Sequence, residues 1–365
     1  MKKFLKIFGI LLVIVVIIAI IAFFILKNMY EDSLTAVNSE ENSETILVEI
    51  PQGTSTSQIA DLLQENNVIK DATMFKVYIK LNNVGNFQAG KYEFENGIDD
   101  VQSVCQKLVN GDVYDESVSI TFVEGRTIED YAEVIAENTN NTADEVLELA
   151  NSEEYIDSLI ENYWFITDEV KNDDIYYDLE GYILPDTYTF ENEDVTVEEI
   201  FNVIFNYMDD YLSEYQDEIE ESGYTVHEIL SLASVVEQEG KTDEARQGIA
   251  GVFINRLNSG MSLGSDVTTY YAFHLNMATD ELTSRQLNTE NPYNTRGPNM
   301  EGKLPVGPIC SPSKSAIEAT LNPENTDCYY FVADKNGEVY FSRTYTEHQD
   351  TIEELQSQGL WYEYE

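Results

Sequence analysis

The sequence predicts an α+β protein with one N-terminal transmembrane helix, a small βααβ module and a larger domain of mixed helices and short strands. Three observations lead to this fold class. An uninterrupted apolar run lies near the N-terminus, a strand–glycine–helix pattern occurs twice, and helical periodicity then alternates with loops and a hairpin signal.

The apolar run extends from Ile7 to Leu26, twenty residues without a charge. Twenty helical residues span about 30 Å, the thickness of the hydrocarbon core of a bilayer. A cleaved signal peptide is the alternative, but its apolar core is shorter and is followed by small residues at the cleavage site. Lys2, Lys3 and Lys6 precede the run and only Lys27 follows it closely. We therefore expect a single-pass cell-membrane protein with its N-terminus in the cytoplasm and the rest of the chain after the span outside.

The polar, acidic stretch after the span has few residues to bury and is expected to be a linker. Beyond it, residues 48–63 and 120–135 align at an offset of 72 residues, each passing from strand through glycine into an amphipathic helix. The predicted segments are a cytoplasmic stub and anchor (1–29), the linker (30–44), the βααβ module (45–113), a second strand–helix unit (114–179) and a larger C-terminal domain (180–365).

The chain carries 20 basic and 68 acidic residues, a formal net charge of −48. Such a surface repels nucleic acid and anionic lipid headgroups, so the expected partner is neutral or cationic unless the charge only maintains solubility. The three cysteines, Cys105, Cys310 and Cys328, give no disulfide framework, although the last two could pair. The three histidines form no metal-binding motif, and no cofactor fingerprint is present. We expect neither metal nor cofactor.

One predicted helix places a carboxylate on its apolar face. Thr225 and Glu228 form a capping box, so the helix should start at Val226 and end before a glycine at 240. On a helical wheel Glu237 falls among the apolar residues, whereas Glu239 falls at the edge and is expected to be solvated. Apolar surroundings would raise the pKa of Glu237 and suit it to be a general acid. The alternative is an ion pair with an arginine such as Arg256.

Further helices are predicted at 197–221 and 243–257, followed by a loop-rich region to residue 312 and a short helix ending at Leu321. Asn336 and Gly337 then mark the turn of a hairpin. Polar loops carried by helices are where binding groups usually lie.

Six motifs occur in order along the second half of the chain: EGYILPDTYTF, LASVVEQEG, VFINRLNSGMSLGSDVTTYYA, NPYNTR, LPVGPICSPS and YFVADKNGEVYFSRTYTEH. Together they closely resemble the YceG-like endolytic murein transglycosylases, and the similarity covers nearly the whole chain from the anchor onward. The resemblance implies a single-span extracytoplasmic enzyme with a LysM-like module. It also implies cleavage inside nascent peptidoglycan strands, which leaves 1,6-anhydro-N-acetylmuramic ends.

By that resemblance Glu237 is the catalytic residue and peptidoglycan the partner, with penicillin-binding proteins and the elongation machinery as expected neighbours. The expected substrate-binding residues are Asn255, Arg256, Asp266, Tyr293, Asn294, Thr295, Pro305 and Gly307. The sequence departs from the family around LPVGPICSPS, where a common double proline is Pro305-Val306 and SPS replaces Asn-Pro-Gly. The loop from Gly297 to Lys303 is also longer.

A glycosidase usually needs two carboxylates that flank the scissile bond. Glu237 and Glu239 are two residues apart on one helix, so they cannot converge on one bond. A lytic transglycosylase needs only one carboxyl group, which serves first as acid and then as base. The alternatives are a non-catalytic, LysM-like wall-binding protein and a hydrolase with two carboxylates. Anhydro-muramic products, no products and reducing ends, respectively, would distinguish the three.

Overall fold

A computed structural model describes residues 2–361, without the side chains of Lys2, Lys3 and Leu5. Met1 and residues 362–365, at the ends of the predicted segments 1–29 and 180–365, lie outside the described part. The chain divides into two compact units, one up to Asp115 and one from Glu116 onward. The structure is a mixture of many helices and three two-stranded antiparallel sheets, which agrees with the predicted α+β class.

The first helix, α1 (Lys2–Ser33), contains the apolar run. Its apolar side chains are exposed along most of its length, and it is the helix within residues 2–361 that is long and apolar enough to cross a membrane. Such a helix near an N-terminus fits either a membrane anchor or a signal sequence.

The remainder of the first unit has the predicted βααβ order followed by a helix. Its elements are β1 (Thr45–Ile50), α2 (Thr56–Glu65), α3 (Ala72–Leu81), β2 (Gly90–Glu95) and α4 (Val101–Asn110). β1 and β2 pair with Thr45 opposite Glu95 and Ile50 opposite Gly90. Alternate strand residues face inward, so Val48 and Tyr92 are buried with the apolar faces of the helices.

The predicted linker is not a free tether over its whole length. α1 continues to Ser33, and the backbone N–H of Asn38 donates to the carbonyl oxygen of Asn96 at 2.8 Å. The N–H of Val101, the first residue of α4, donates to the Leu34 carbonyl oxygen at 3.0 Å. Backbone groups, which carry no sequence signal, therefore bind part of the predicted linker to the module.

The second unit starts with β3 (Val118–Thr121), which pairs with β4 (Thr187–Phe190). Three helices lie between these strands: α5 (Ile128–Asn138), α6 (Ala143–Ala150) and α7 (Glu153–Asn162). Ile120 and Tyr188 belong to the same hydrophobic core as the helices that follow. The predicted segments 114–179 and 180–365 therefore share one compact unit and one core.

The repeat seen in the sequence is present in the structure. Gly53 follows β1 with φ +84°, and Gly125 follows β3 with φ +73°, a left-handed conformation that favours glycine. Each turn leads into a helix with a capping box, formed by Ser55 with Gln58 and by Thr127 with its N3 residue.

The C-terminal elements largely follow prediction. They are α8 (Val197–Ser213), α9 (Gln216–Ser222), α10 (Val226–Glu239), α11 (Asp243–Asn258), α12 (Asp266–Ala272), α13 (Ser284–Leu287), α14 (Lys314–Leu321), β5 (Tyr330–Ala333), β6 (Val339–Ser342) and α15 (Tyr345–Ser357). The helix expected at 197–221 is interrupted between α8 and α9, and the loop-rich region contains α12 and α13. The hairpin turns at Gly337, where φ is +84°.

Candidate active site at the end of helix α10

Two carboxylates lie at the C-terminal end of α10, and the local sequence explains their position. The Thr225 hydroxyl accepts a hydrogen bond from the N–H of Glu228 at 3.2 Å, which completes the predicted capping box. The apolar side of the helix is buried, and the Gly240 N–H closes the last turn on the Val236 carbonyl oxygen at 2.9 Å. The last turn therefore presents Glu237 and Glu239 in different directions.

Glu237 points inward as predicted, with 8% of its side chain exposed, but its carboxylate contacts polar groups. The Arg246 guanidinium donates to Oε1 at 2.8 Å, and the N–H of Ser313 donates to Oε2 at 3.1 Å. The Ser313 hydroxyl also donates to Oε2. The predicted apolar surroundings are therefore wrong, because α11 and the start of α14 bring donors to this face. The ion pair considered from the sequence exists, with Arg246 in place of Arg256.

Glu237 and Arg246 line a cleft of about 720 Å³. Its other walls come from the loop after β3, the segment before β4 and the start of α14, including Glu124, Asp186 and Lys314. Lys314 is held by Asp186 at 3.3 Å. Charged groups of both signs therefore surround this cleft, and most of them are paired with one another.

Glu239 is half-buried, so the expectation that it is solvated is wrong. The Ser265 hydroxyl, immediately before α12, donates to its Oε1 at 2.6 Å. Burial raises the pKa of Glu239; the Ser265 hydrogen bond opposes this rise, Asp266 adds to it, and Arg296 and Arg256 oppose it. A wheel of α10 alone cannot show that a distant helix covers this edge.

Three of the predicted substrate residues lie close to Glu239. Asp266 and Arg296 form an ion pair whose side chains are 53% and 42% exposed. The N–H of Ser265 donates to the Thr295 hydroxyl at 3.1 Å, which links the NPYNTR motif to α12. Arg256 donates through Nε to the Tyr329 carbonyl oxygen at 2.6 Å, and its guanidinium lies 5.5 Å from the centre of the Tyr330 ring.

Tyr293, Asn294 and Thr295 are fully buried, so they support the site from inside. The Asn294 amide donates to the carbonyl oxygens of Gln286 and Thr289 at 3.0 and 2.8 Å. The Tyr293 ring packs against Tyr271 of α12 at 4.8 Å between ring centres. Hydrogen bonds and ring packing thus fix the loop against α12.

The remaining predicted residues lie elsewhere. The Asn255 amide donates to the carbonyl oxygens of Thr326 and Cys328 at 2.8 and 3.0 Å, which anchors the segment before β5. Pro305 lines a separate cleft of about 840 Å³. A Cβ on Gly307 would lie 3.5 Å from the His227 ring. None of these three residues lines the cleft beside Glu237.

Several residues that shape this region were not singled out from the sequence. Arg246 and Ser313 hold Glu237, and Ser265 contacts Glu239. Glu180 is 1% exposed and accepts hydrogen bonds from the Ile128 N–H and the Tyr271 hydroxyl, both at 3.1 Å. Burial raises the pKa of Glu180 to about 8. A usable signal existed for Ser265, because it directly precedes the candidate Asp266.

The described residues contain no cluster of His, Cys, Asp or Glu side chains suited to a metal ion. Cys310 and Cys328, which could have paired, are both free in the structure. The Cys310 thiol instead donates to the Ser234 carbonyl oxygen at 3.4 Å.

Comparisons with known proteins agree with the family resemblance seen in the sequence. The YceG-like family matches residues 48–354. An endolytic murein transglycosylase of Bacillus subtilis (strain 168) is 34% identical over 326 residues, which cover 89% of each chain. An endolytic murein transglycosylase of Streptococcus pneumoniae D39 is 31% identical over 338 residues, 88% of this chain and 60% of that protein.

The fold is also that of a solved relative. The crystal structure of a YceG-like protein from Listeria monocytogenes matches with a TM-score of 0.60 and 34% identity, over 85% of this chain and all of that one. The motifs, the fold and the extent of these matches together show that the chain belongs to the YceG-like family.

Proposed function

We propose that this protein is a membrane-anchored endolytic murein transglycosylase in which Glu239 is the proton donor, in place of Glu237, the catalytic residue that the family resemblance implies. Its substrate would be nascent peptidoglycan, cleaved at the β-1,4 bond between N-acetylmuramic acid and N-acetylglucosamine. The observation that carries the choice of residue is the half-buried Glu239 carboxyl, with its raised pKa, beside Ser265 and Asp266. Relatives named endolytic murein transglycosylases support the reaction class.

The hydrogen bonds of Glu237 argue against its acting as an acid. Each of its oxygens already accepts from a group that can only donate, the Arg246 guanidinium on one side and the Ser313 N–H on the other. We assign Glu237 to positioning, since it connects α10 with α11 and α14.

Glu239 has the environment that a general acid requires. Desolvation disfavours its charged form and raises its pKa, which is the direction that favours a general acid. The Ser265 hydroxyl donates to its Oε1 and can stabilise the carboxylate once the proton has left. One group can therefore give up and later regain a proton.

The reaction would proceed in two proton transfers at this carboxyl. Protonated Glu239 gives its proton to the glycosidic oxygen as the bond from that oxygen to muramic C1 breaks, and the 2-acetamido group of the sugar supports the developing cation. The Glu239 carboxylate then takes the proton of the C6 hydroxyl while O6 bonds to C1. The product is a 1,6-anhydro ring, the acid is regenerated and no water is consumed.

The other predicted residues receive roles according to their exposure. Asp266, together with its ion-pair partner Arg296, which was not among the predicted residues, is exposed enough to contact polar groups of the sugar or its peptide. Asn255, Arg256, Tyr293, Asn294 and Thr295 are proposed to hold the loops around Glu239 in place, and Pro305 and Gly307 to shape the separate cleft. α1 is proposed to be a retained anchor with the catalytic unit outside the cell. Penicillin-binding proteins and elongation machinery stay predicted neighbours.

A product assay tests this function. Full-length protein in detergent is incubated with peptidoglycan, and the soluble products are analysed by mass spectrometry. We expect 1,6-anhydro-muramic ends in products released from within strands. Reducing ends would show a hydrolase, and an absence of products would favour the non-catalytic wall-binding alternative.

A further inference from the structure

The last turn of α1 is bound to the rest of the first unit. Ser33 is buried, and Leu34, the next residue, packs against the hydrophobic core of this unit. Lys70, two residues before α3, donates through Nζ to the Thr35 hydroxyl at 2.7 Å and to the Asp32 carbonyl oxygen at 3.2 Å. The unit therefore has a fixed orientation relative to the apolar run that α1 contains.

Helix α3 runs back along α1, toward that apolar run. The two helices contact each other, and Lys70 binds the start of α3 to Asp32. Farther along α3, Tyr78 lies beside Tyr30 of α1: burial raises the pKa of the Tyr78 hydroxyl, and Tyr30 adds to the rise. From Lys70 to Tyr78, the adjacent residue of α1 thus changes from Asp32 back to Tyr30. The C-terminal end of α3 is therefore directed toward the part of α1 that can span a membrane.

The last residue of α3 is an exposed leucine. Leu81 is 71% exposed, more than any other large apolar side chain of residues 2–361 outside α1. At a rise of about 1.5 Å per helical residue, Leu81 lies about 4.5 Å beyond Tyr78 along α3, and Leu26, which ends the apolar run, lies about 6 Å before Tyr30 along α1. Leu81 is therefore close to the level at which the apolar run ends.

We propose that the C-terminal end of α3 rests on the surface of the bilayer that holds α1, with Leu81 inserted at the boundary between headgroups and acyl chains. Apolar side chains of interfacial helices are buried at this boundary. The proposal rests on the retained anchor of the proposed function and is independent of the cleavage chemistry. It adds to the anchor a second contact with the membrane, which holds the first unit at the bilayer surface.

The charge around Leu81 suits a bilayer surface, although the chain as a whole is strongly acidic. There is no acidic residue between Asp71 and Glu93, whereas 68 of the 365 residues of the chain are acidic. This interval contains three lysines, and Lys80, next to Leu81, is exposed and forms no ion pair within residues 2–361. Lysine beside exposed apolar side chains is typical of segments that bind anionic lipid surfaces.

Tryptophan fluorescence tests this contact. Full-length Leu81→Trp is reconstituted into vesicles of phosphatidylcholine and phosphatidylglycerol, whose acyl chains either carry bromine near the headgroup or carry none. Bromine quenches a tryptophan that it contacts. The wild-type signal, from Trp164 and Trp361, is subtracted. The added fluorescence should fall by roughly half or more in brominated vesicles, because the side chain lies among the upper acyl chains. Circular dichroism checks that the variant folds.

Ile98→Trp is the matched control. Ile98 is 56% exposed and belongs to the same unit, but it follows Gly97, whose N–H donates to the Ser43 hydroxyl at 3.2 Å in the segment after α1. We expect its fluorescence to be the same in both kinds of vesicle. Equal quenching of the two variants, or no quenching of Leu81→Trp, would overturn the proposal. Emission of Leu81→Trp that changes with the protein-to-lipid ratio and not with bromine would indicate a second copy of the chain at Leu81, and would also overturn it.

Vesicle flotation and product formation are measured on the same samples. Protein that does not float with the vesicles would refute the anchor and the surface contact together. Protein that floats without quenching of Leu81→Trp refutes only the surface contact. Quenching without anhydro-muramic products supports the surface contact and refutes only the catalytic proposal.

Discussion

The two sides of the last turn of α10 carry the same functional group in different environments. On one side Glu237 is held between a guanidinium, a backbone N–H and a hydroxyl. On the other side Glu239 accepts a hydrogen bond from the Ser265 hydroxyl and is shielded from solvent, and it forms no ion pair within the described residues. The comparison shows that neighbouring helices, and not the helical face alone, set the environment of each carboxylate.

The difference has a structural cause. Arg246 of α11 and Ser313 at the N-cap of α14 converge on Glu237. Near Glu239, α12 brings its own acid Asp266 and the preceding serine, which donates a hydrogen bond. An ion pair stabilises the charged form of a carboxylate, and burial without a pair favours the neutral form. The following predictions test this contrast, from the largest expected effect to the smallest.

The largest effect is expected from Glu239→Gln. The amide keeps the size of the side chain but has no acid proton, so turnover should fall by about 10² to 10⁴-fold. Glu239→Asp keeps the acid but withdraws it by one methylene, and its turnover should lie between those of the wild type and the glutamine variant. Initial rates of product release measure both, and full activity in Glu239→Gln would remove Glu239 from the chemistry.

Arg246→Met should act on stability rather than on chemistry. Removing one partner of a largely buried ion pair leaves Glu237 without its cation and should lower the free energy of unfolding by about 3 kcal/mol. The double variant Glu237→Gln/Arg246→Met should recover part of this loss. Denaturant unfolding of the full-length protein in detergent provides the measurement. Stability equal to the wild type would mean that the pair does not hold these helices together.

Glu180 is a titratable group that contacts the same helix as Glu239, because its carboxyl oxygen accepts a hydrogen bond from the Tyr271 hydroxyl of α12. Its pKa in the folded protein is about 8, above the ordinary value of 4.5, so between these pH values only the folded state retains the proton. Its contribution to stability is therefore present at low pH, is lost as pH rises from 4.5 to 8 and is constant above that.

Glu180→Gln removes this titration. The stability of the variant relative to the wild type should rise by roughly 3 kcal/mol between pH 5 and pH 8 and then level off. Unfolding curves of both proteins across this pH range supply the comparison. The contributions of the other carboxylates to the pH dependence are the same in both proteins and cancel in the difference. A parallel pH dependence in the two proteins would mean that Glu180 titrates normally in the folded state.

Ser265→Ala should have the smallest effect. The lost hydroxyl stabilises the Glu239 carboxylate, so the pKa of Glu239 should move further up. kcat/KM should fall about tenfold, and its decline at alkaline pH should shift to higher pH, since the protonated acid persists longer. Thr268→Ala is the control, since it removes a hydroxyl that is hydrogen-bonded to the Thr295 hydroxyl in the same cluster. We expect its alkaline decline of kcat/KM to stay at the wild-type pH.

Much of the fold could be predicted from local sequence signals. The capping box at Thr225 and the glycine at 240 define α10 at both ends, and the two strand–glycine–helix patterns appear with left-handed glycines at the predicted turns. These signals lie within a few residues of the structure they specify. The docked segment after Ser33 could not be predicted, because it is bound through backbone groups that every residue possesses.

The candidate site was predicted only in part for a similar reason. Helical periodicity placed Glu237 inward, but the groups that meet it come from other helices, as much as 76 residues away at Ser313. The burial of Glu239 depends on Ser265, 26 residues along the chain. Sequence separations of this size produce no periodic pattern. The helical pattern alone therefore could not show which of the two glutamates is the acid.

The most direct test counts anhydro-muramic ends by mass spectrometry after peptidoglycan is treated in parallel with the wild type, Glu237→Gln and Glu239→Gln, at equal amounts of folded protein. Both substitutions remove one carboxylate from the same turn of the same helix, so each is the control for the other. We predict that Glu237→Gln still forms these ends and that Glu239→Gln forms almost none. Anhydro-muramic ends from Glu239→Gln, with none from Glu237→Gln, would contradict the assignment of Glu239 as the proton donor.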